Sequence, residues 1–442
     1  VRLSYTGPTD TSMTIAWNTT SDVGTEVRYG TTSGNLTDTV TGTSFEASGV
    51  LGYVHEVTLT GLSPDTLYFY QAGDASDGYS TEYFFTTGPA PDEHCGTFRF
   101  VFLGDNRPDP IFGGGQNYDA ILSEATAHQP AFLLNGGDLV IDGDQIDQWI
   151  DYLGYNDDDV AFVPNMPCLG NHDTGPGEGD GAIYNQLFAL PTSTGTYGSG
   201  TEDYYYFTYG NAIFVALSTD TYDGGATPFD NQAQWLDEVL TNNPRTWKIV
   251  FFHKPSYTYN VTFDISHESN EEGQNAAYVP IIDKHHVDLV LTSHNHWYER
   301  YQASNCTDAG NPGSDDACTV NDPADGTVYI VSGGAGAFTI PFCVDINPFN
   351  PPPASRAVCS SARHYILFDI DNETLTMEAM EALSPTPNVI DTLTLTKPPQ
   401  ACSPVPPDGG AGGVGGSQGT GGFATGGTGT GNAGTGGTGA EP

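Results

Sequence analysis

Positive charge is scarce in this chain of 442 residues. It carries 12 Lys and Arg against 55 Asp and Glu, a formal net charge of −43. Such a surface repels nucleic acid and anionic membranes, which excludes phosphate-backbone binding as a main role. It also repels polyanionic substrates at long range. An anionic substrate then needs local positive charge, which metal ions can supply. Cys-x-x-Cys is missing although there are 7 cysteines, so neither a zinc ribbon nor a thioredoxin-like redox motif is expected. No run of about 18 apolar residues is present, so no transmembrane helix is expected. The chain starts at Val1 without an apolar leader and reads as a processed mature form.

The cysteines lie largely in loops rich in Asn, Asp, Pro and Gly, where disulfides help to order a chain. That usage suggests an oxidising, extracytoplasmic setting. Local pairs are expected between Cys306 and Cys318 and between Cys343 and Cys359. Cys95 and Cys402 could staple the ends of a domain, leaving Cys168 as a buried odd thiol.

Length predicts two domains. Residues 1–89 alternate apolar and polar in short runs such as Met13 to Trp17, Glu26 to Tyr29, His55 to Leu59 and Leu67 to Tyr70. This is the period of half-buried strands in an antiparallel β-sandwich. The corner from Leu59 to Tyr68 resembles that of a fibronectin type III domain, with Trp17 as an early core residue. No catalytic signature occurs here, so a spacer or docking module is expected.

A polar, proline-rich stretch from Gly88 to Glu93 marks the boundary. Residues 96–400 then alternate strands with helices. Strands are predicted over Phe98 to Leu103, Ala131 to Leu134, Val160 to Leu169, Ile213 to Leu217, Trp247 to Phe252 and Val287 to Leu291. Helices are predicted over Tyr118 to Ala127, Gln145 to Leu153, Asn231 to Leu240 and Tyr278 to His286. The alternation predicts an α/β domain with a largely parallel sheet covered by helices. Strands near 328–331, 365–370, 373–378 and 390–396 are expected to close it in antiparallel fashion. Residues 403–442, dominated by Gly and Thr, cannot bury enough apolar surface to fold. They read as a disordered stalk, with a surface-sorting or anchoring segment expected beyond Pro442 in the precursor.

Metal-ligand chemistry sits at the C-terminal ends of these strands. In chain order it reads Gly104-Asp105-Asn106-Arg107, Gly136-Gly137-Asp138, Gly170-Asn171-His172-Asp173, His253, and His294-Asn295-His296. Any one of these is an ordinary structural feature. Five in succession at the strand ends where open α/β sheets place their sites are not. Two aspartates, an asparagine carbonyl and three imidazoles form a mixed oxygen and nitrogen set that suits Zn, Fe or Mn. Without a thiolate it is not a structural zinc site. Six ligands suit a pair of ions about 3.5–4 Å apart better than a single one.

The order of these motifs resembles the calcineurin-like metallophosphoesterases. The preceding β-sandwich and the run His294-Asn295-His296-Trp297-Tyr298-Glu299-Arg300 look like the purple acid phosphatases. The resemblance implies a β/α/β four-layer sandwich holding two divalent or trivalent ions (Fe, Zn or Mn). It implies that Asp105, Asp138 and His296 hold the first ion, that Asp138 bridges, and that Asn171, His253 and His294 complete the second. His172 would face the phosphate, and a metal-bound hydroxide would attack in line without a phosphoenzyme. Tyr257 and His267 fall in a loop where related enzymes place substrate-facing groups.

Three positions depart from the family pattern. Ile141 stands where purple acid phosphatases have a tyrosine ligand, so their colour is expected to be absent. Arg107 stands where other members have the histidine of Asp-x-His, so the first metal site is expected to be ligand-poor and weakly occupied or completed by water; Arg107 itself either pairs with a local carboxylate such as Asp109 or binds substrate phosphate. Ser293 replaces the usual Gly. The chain is therefore read as a secreted or surface-held hydrolase of phosphomonoesters or phosphodiesters. The competing readings are a non-catalytic surface protein on a degenerate scaffold, and a nucleotide or pyrophosphate hydrolase of the same mechanism.

Overall fold

The computed structural model describes residues 1–402 apart from 48, 108–113, 157–158, 175–181, 221–228, 260–265, 322, 340–352 and 387. The expected stalk at 403–442 and the expected partner of Cys359, Cys343, lie outside the described residues, as does Asp109.

The N-terminal residues form two antiparallel sheets. One pairs Arg2–Ser4, Ser12–Thr19, Tyr53–Thr60 and Thr43–Glu46; the other joins Asp38–Thr41, Glu26–Gly30 and Leu67–Asp74, with Gly78–Tyr79 and Tyr83–Thr86 on the last of these. Alternate residues turn inward, so Met13, Ile15, Val27, Val57, Leu59 and Tyr70 are buried between the sheets. Trp17 stacks on His55, whose ring nitrogens meet the hydroxyls of Thr19 and Thr25.

The rest is built on two mixed sheets. The six-stranded sheet runs Asn165–Pro167, Phe132–Asn135, Thr97–Leu103, His364–Asp371, Thr374–Glu381, Asn388–Thr396, the first three parallel and the rest antiparallel. The seven-stranded sheet runs Tyr205–Tyr209, Ala212–Ala216, Trp247–Phe251, Leu289–Thr292, Val328–Ser332, Tyr298–Tyr301, Arg356–Ser360. Its middle four strands are parallel. The strand at 328–332 therefore belongs to the parallel set, which corrects the antiparallel pairing expected from its position late in the chain. Phe100 stacks on Phe132 and Phe368 within the first sheet, and Phe100 and Phe132 meet Phe214 of the second, so the sheets share one core. The helices Gly114–Thr126 and Ile146–Asn156 cover the first sheet. Phe229–Asn242 and Asn275–Lys284 cover the second.

Only Asn165–Pro167 of the predicted strand from Val160 to Leu169 is extended. Residues 159–163 instead turn back on Asn156 through backbone hydrogen bonds. Their apolar character serves the contact with the N-terminal sandwich. Leu3 N donates to Val160 O, Tyr70 Oη donates to Ala161 O, and Phe162 packs on Tyr83 and Phe84. Arg2 Nε on Leu187 O and Ser4 Oγ on Ala189 O extend this interface. Disulfides join Cys95 to Cys402 and Cys306 to Cys318, and Cys168 is a buried free thiol.

Candidate metal centre

The C-terminal ends of the parallel strands from both sheets converge at one place. Thr97–Leu103 leads to Asp105 and Phe132–Asn135 leads to Asp138, while Asn171 and His172 follow Asn165–Pro167. Trp247–Phe251 leads to His253, and Leu289–Thr292 leads to His294 and His296. Three of these residues are left-handed: Asp105 at φ 55°, Asp138 at 56° and His294 at 70°. Each such non-glycine residue costs about 1 kcal/mol, and this kind of strain gathers where side chains must be aimed. The glycines of the motifs have a packing reason. A Cβ on Gly104 or Gly136 would collide with Ser293 Oγ, and one on Gly170 with the backbone of Asp138. Ser293 is itself fully buried and donates to Ser332 O, so the hydroxyl fills a space that the family's Gly would leave.

The donors face one another. His253 Nε2 lies 3.2 Å from Asp138 Oδ1, 3.1 Å from Asn171 Oδ1 and 3.0 Å from His294 Nδ1. His296 Nε2 lies 3.4 Å from Asp105 Oδ1. Neighbouring ligands at 2.0–2.2 Å from one ion stand roughly 2.8–3.6 Å apart, from octahedral to tetrahedral geometry, so this spacing fits metal ligation. Asp138, His253 and His294 form a cluster suited to a cation among the described residues. The chemistry of the tautomers agrees. His253 Nδ1 donates to Gly136 O at 2.7 Å and His296 Nδ1 to Phe338 O at 2.9 Å, which leaves Nε2 of each for a ligand. Asp105 Oδ1 is buried and has no hydrogen-bond partner among the described residues. A buried, unpaired carboxylate oxygen calls for a cation.

Electrostatics point the same way. Burial opposes charge on His253, yet Asp138, with Asp105 and Asp220, pushes its pKa up to about 10. Burial alone would raise Asp138, but His253, His172 and Arg107 hold it well below the carboxylate range. Without metal, a proton on His253 balances Asp138; a bound cation takes over that charge.

A surrounding layer of side chains aims the donors, and the motif reading missed most of it. Asp173 is buried and accepts from the backbone N–H groups of Asp138, Leu139, Val140 and Gly170 at 2.9, 2.7, 3.2 and 2.8 Å. It ties the turn carrying Asp138 to the turn carrying Asn171. Burial, and then the charge of Asp138, push its pKa up to about 8, against the pull of these donors. Asp173→Asn exchanges one acceptor oxygen for an NH₂ that faces N–H groups. The expected loss is about 2–4 kcal/mol of unfolding free energy, since each buried unsatisfied donor costs about 1–3 kcal/mol. Urea denaturation measures it, and an unshifted midpoint contradicts the assigned role.

Glu271 accepts from His294 Nε2 at 2.9 Å, which holds the Nδ1 lone pair toward His253 and Asp138. Hydrogen bonds first from His267 and then from His294 hold the Glu271 carboxyl well below the usual carboxylate range, so it stays ionised. Glu271→Gln removes the charge that fixes this tautomer. Metal affinity is expected to fall about 10–100-fold, read by competition with a chromogenic chelator; unchanged affinity contradicts it. Asn295, between the two histidines, donates to Thr258 Oγ1 at 2.7 Å and accepts from His267 N at 2.9 Å. Glu299 is buried on Thr258 Oγ1 and Arg356 Nη1, at 2.8 and 3.0 Å, and fastens the segment after His296. A sequence signal existed for Asp173 and Glu299, which sit inside quoted motifs. None existed for Glu271.

The remaining candidates divide. His172 is partly exposed at the mouth of the centre, its Nδ1 on Ile141 O at 2.5 Å and its Nε2 against Arg107 Nη1. Arg107 Nη2 lies 3.3 Å from His296 Nε2. His267 stacks on His294 with ring centroids 3.5 Å apart and also reaches the mouth. Tyr257 does not. It is 1% exposed, its hydroxyl 3.1 Å from Cys306 Sγ and its ring against Tyr329. The expectation that Tyr257 faces substrate is corrected, because its apolar ring is needed to fill the core between the second sheet and its helices.

Comparison with known proteins agrees with this architecture. Residues 1–87 match the model of the purple acid phosphatase N-terminal domain, and residues 98–298 that of the calcineurin-like phosphoesterases. Purple acid phosphatase 23 of Arabidopsis thaliana is 27% identical over 350 residues, covering 66% of this chain and 72% of that protein. Acid phosphatase type 7 of Homo sapiens is 29% identical over 381 residues, covering 79% and 81%. A purple acid phosphatase structure from yellow lupin (Lupinus luteus) seeds has a TM-score of 0.73 at 20% identity, covering 89% of this chain and 73% of that one, and shows the same fold.

Proposed function

For a chain that belongs to the calcineurin-like metallophosphoesterases and is purple acid phosphatase-like in both parts, we propose an extracytoplasmic hydrolase of phosphomonoesters or phosphodiesters. It is a metal-dependent phosphatase of a family that uses dinuclear centres. The observation that carries the proposal is the convergence of six oxygen and nitrogen donors from five strand ends, spaced 3.0–3.4 Å where they face one another.

Asp105, Asp138 and His296 would hold one ion of Fe, Zn or Mn, and Asp138, Asn171, His253 and His294 would hold the other. When bound, such a pair neutralises phosphate charge and lowers the pKa of a water. The chain's own groups do the rest. Ile141 O accepts a hydrogen bond from the Nδ1–H of His172, so His172 presents Nε2 to the mouth of the centre. Once Nε2 has taken up a proton from solvent, the imidazolium can pass it to the leaving oxygen. Arg107 offers a two-pronged donor to phosphate oxygens, and His267 offers a further donor at the rim. The domain reading that accompanies this is a sandwich over 1–89, a phosphoesterase domain over 96–400 and a stalk over 403–442. The cysteine usage supports an oxidising location, and the Gly- and Thr-rich composition of 403–442 is that of a flexible linker, which is the basis for proposing surface attachment.

Arg107 and Ile141, in place of two family ligands, favour one rival reading: a non-catalytic surface protein on this scaffold. Turnover of p-nitrophenyl phosphate, its bis-ester, ATP and pyrophosphate with added Zn, Fe or Mn separates the readings. Hydrolysis of the mono- or diester is expected. Hydrolysis of ATP and pyrophosphate alone assigns the nucleotide reading, and no turnover together with no bound metal assigns the scaffold reading.

A further inference from the structure

Arg107 brings donors and a positive charge to a centre built for cations. Its backbone N–H is bound to Asp138 O at 3.0 Å, beside the bridging candidate. Its guanidinium spans two imidazoles, with Nη1 on His172 Nε2 and Nη2 3.3 Å from His296 Nε2. Both rings spend their Nδ1 proton on a backbone carbonyl, Ile141 O for His172 and Phe338 O for His296. A carbonyl only accepts, so in each neutral ring Nε2 carries the lone pair. A guanidinium has five N–H donors and no acceptor. Arg107 therefore covers both lone pairs: the one on His296 that would bind an ion, and the one on His172 that would carry a proton.

A lone pair serves a guanidinium N–H or a metal ion, not both at once. Among the described residues, no guanidinium covers a lone pair in the other half of the centre. There His294 Nε2 is held by Glu271, and Nδ1 is left facing His253 Nε2 and Asp138.

We propose that Arg107 makes the two metal positions unequal and couples the weaker one to phosphate. The position held by Asp138, Asn171, His253 and His294 is tight. The position at Asp105 and His296 is weak and exchangeable, because an ion there must displace the guanidinium. Phosphate draws the guanidinium onto its own oxygens, since fork-to-oxyanion pairing is the stronger hydrogen bond. That releases His296 for the ion and His172 for proton transfer. By linkage, phosphate tightens the weak position and the ion in that position tightens phosphate by the same factor. This rests on the metal-centre reading proposed above.

The test is Mn²⁺ binding to the metal-depleted full chain, with free Mn²⁺ read by electron paramagnetic resonance, with and without inorganic phosphate. The native chain is expected to bind one ion tightly and a second at least about 10-fold more weakly, with phosphate tightening only the second by about 5–150-fold. Arg107→Ala is expected to narrow the gap and remove most of the phosphate effect. Arg107→His, which exchanges the competitor for an imidazole that can ligate, is expected to bring the two affinities close together. Arg107 is partly exposed, so both variants should keep the native circular dichroism. Two equal affinities in the native chain overturn the inference, as does a gap and phosphate effect that Arg107→Ala leaves intact. A native chain that binds no Mn²⁺, Zn²⁺ or Fe²⁺ overturns the metal-centre reading itself, which distinguishes the two failures.

Discussion

Asp138→Asn is expected to abolish metal binding and turnover together. Asp138 is buried, and its oxygens stand 3.2 Å from His253 Nε2 and accept the backbone N–H of His172 at 3.0 Å. Asparagine keeps the shape and tolerates the left-handed backbone at φ 56°. The substitution thus changes charge with little change in geometry. It removes the carboxylate assigned above to both halves of the proposed centre and turns an NH₂ toward imidazole nitrogens. Breaking a buried charge pair costs about 3–5 kcal/mol, which is about 10²–10⁴-fold in ion affinity. Plasma mass spectrometry of the purified variant should find no stoichiometric transition metal, while circular dichroism remains native. A variant that keeps both ions and normal turnover would remove Asp138 from the centre.

His172→Ala should behave differently. Its ring is 32% exposed, its Nε2 is 3.9 Å from Asp138 Oδ2, and its tautomer is fixed by Ile141 O. It borders the donors but is not among those that face His253. Metal content is expected to stay intact while kcat falls about 10²–10⁴-fold, the usual scale for a positioned acid. The loss should be larger for an alkyl phosphate than for p-nitrophenyl phosphate, because nitrophenolate departs without a proton. Loss of metal, or an equal loss for both leaving groups, would show that His172 has another role.

These two residues also show what the sequence makes legible. The donors sit directly after apolar runs, in Gly-Asp and Gly-Asn-His-Asp turns, because a strand end must turn sharply where the two sheets meet. Gly104, Gly136 and Gly170 are fixed by that crowding, and it leaves a readable trace. Glu271 leaves none. It lies on a different loop from His294, 23 residues away, and only the packing of the two loops brings them together. Tyr257 failed for a related reason: position in a loop near a ligand does not say which way a ring points, and this ring fills the core. The apolar run from Val160 has the pattern of a strand because periodicity cannot tell a sheet interior from a domain contact, and its residues pack against Leu3, Tyr70 and Tyr83. The parallel course of Val328–Ser332 depends on its partner Leu289–Thr292, which no local pattern encodes.

The most direct measurement is removal and return of metal. The purified chain is treated with a chelator, its metal content determined, and hydrolysis of p-nitrophenyl phosphate followed as Zn, Fe or Mn is added back. Activity that disappears with the metal and returns with it, in the native chain but not in Asp138→Asn, is the predicted result. Hydrolysis that persists in the metal-free chain, or metal that binds fully without restoring any turnover, would contradict the account.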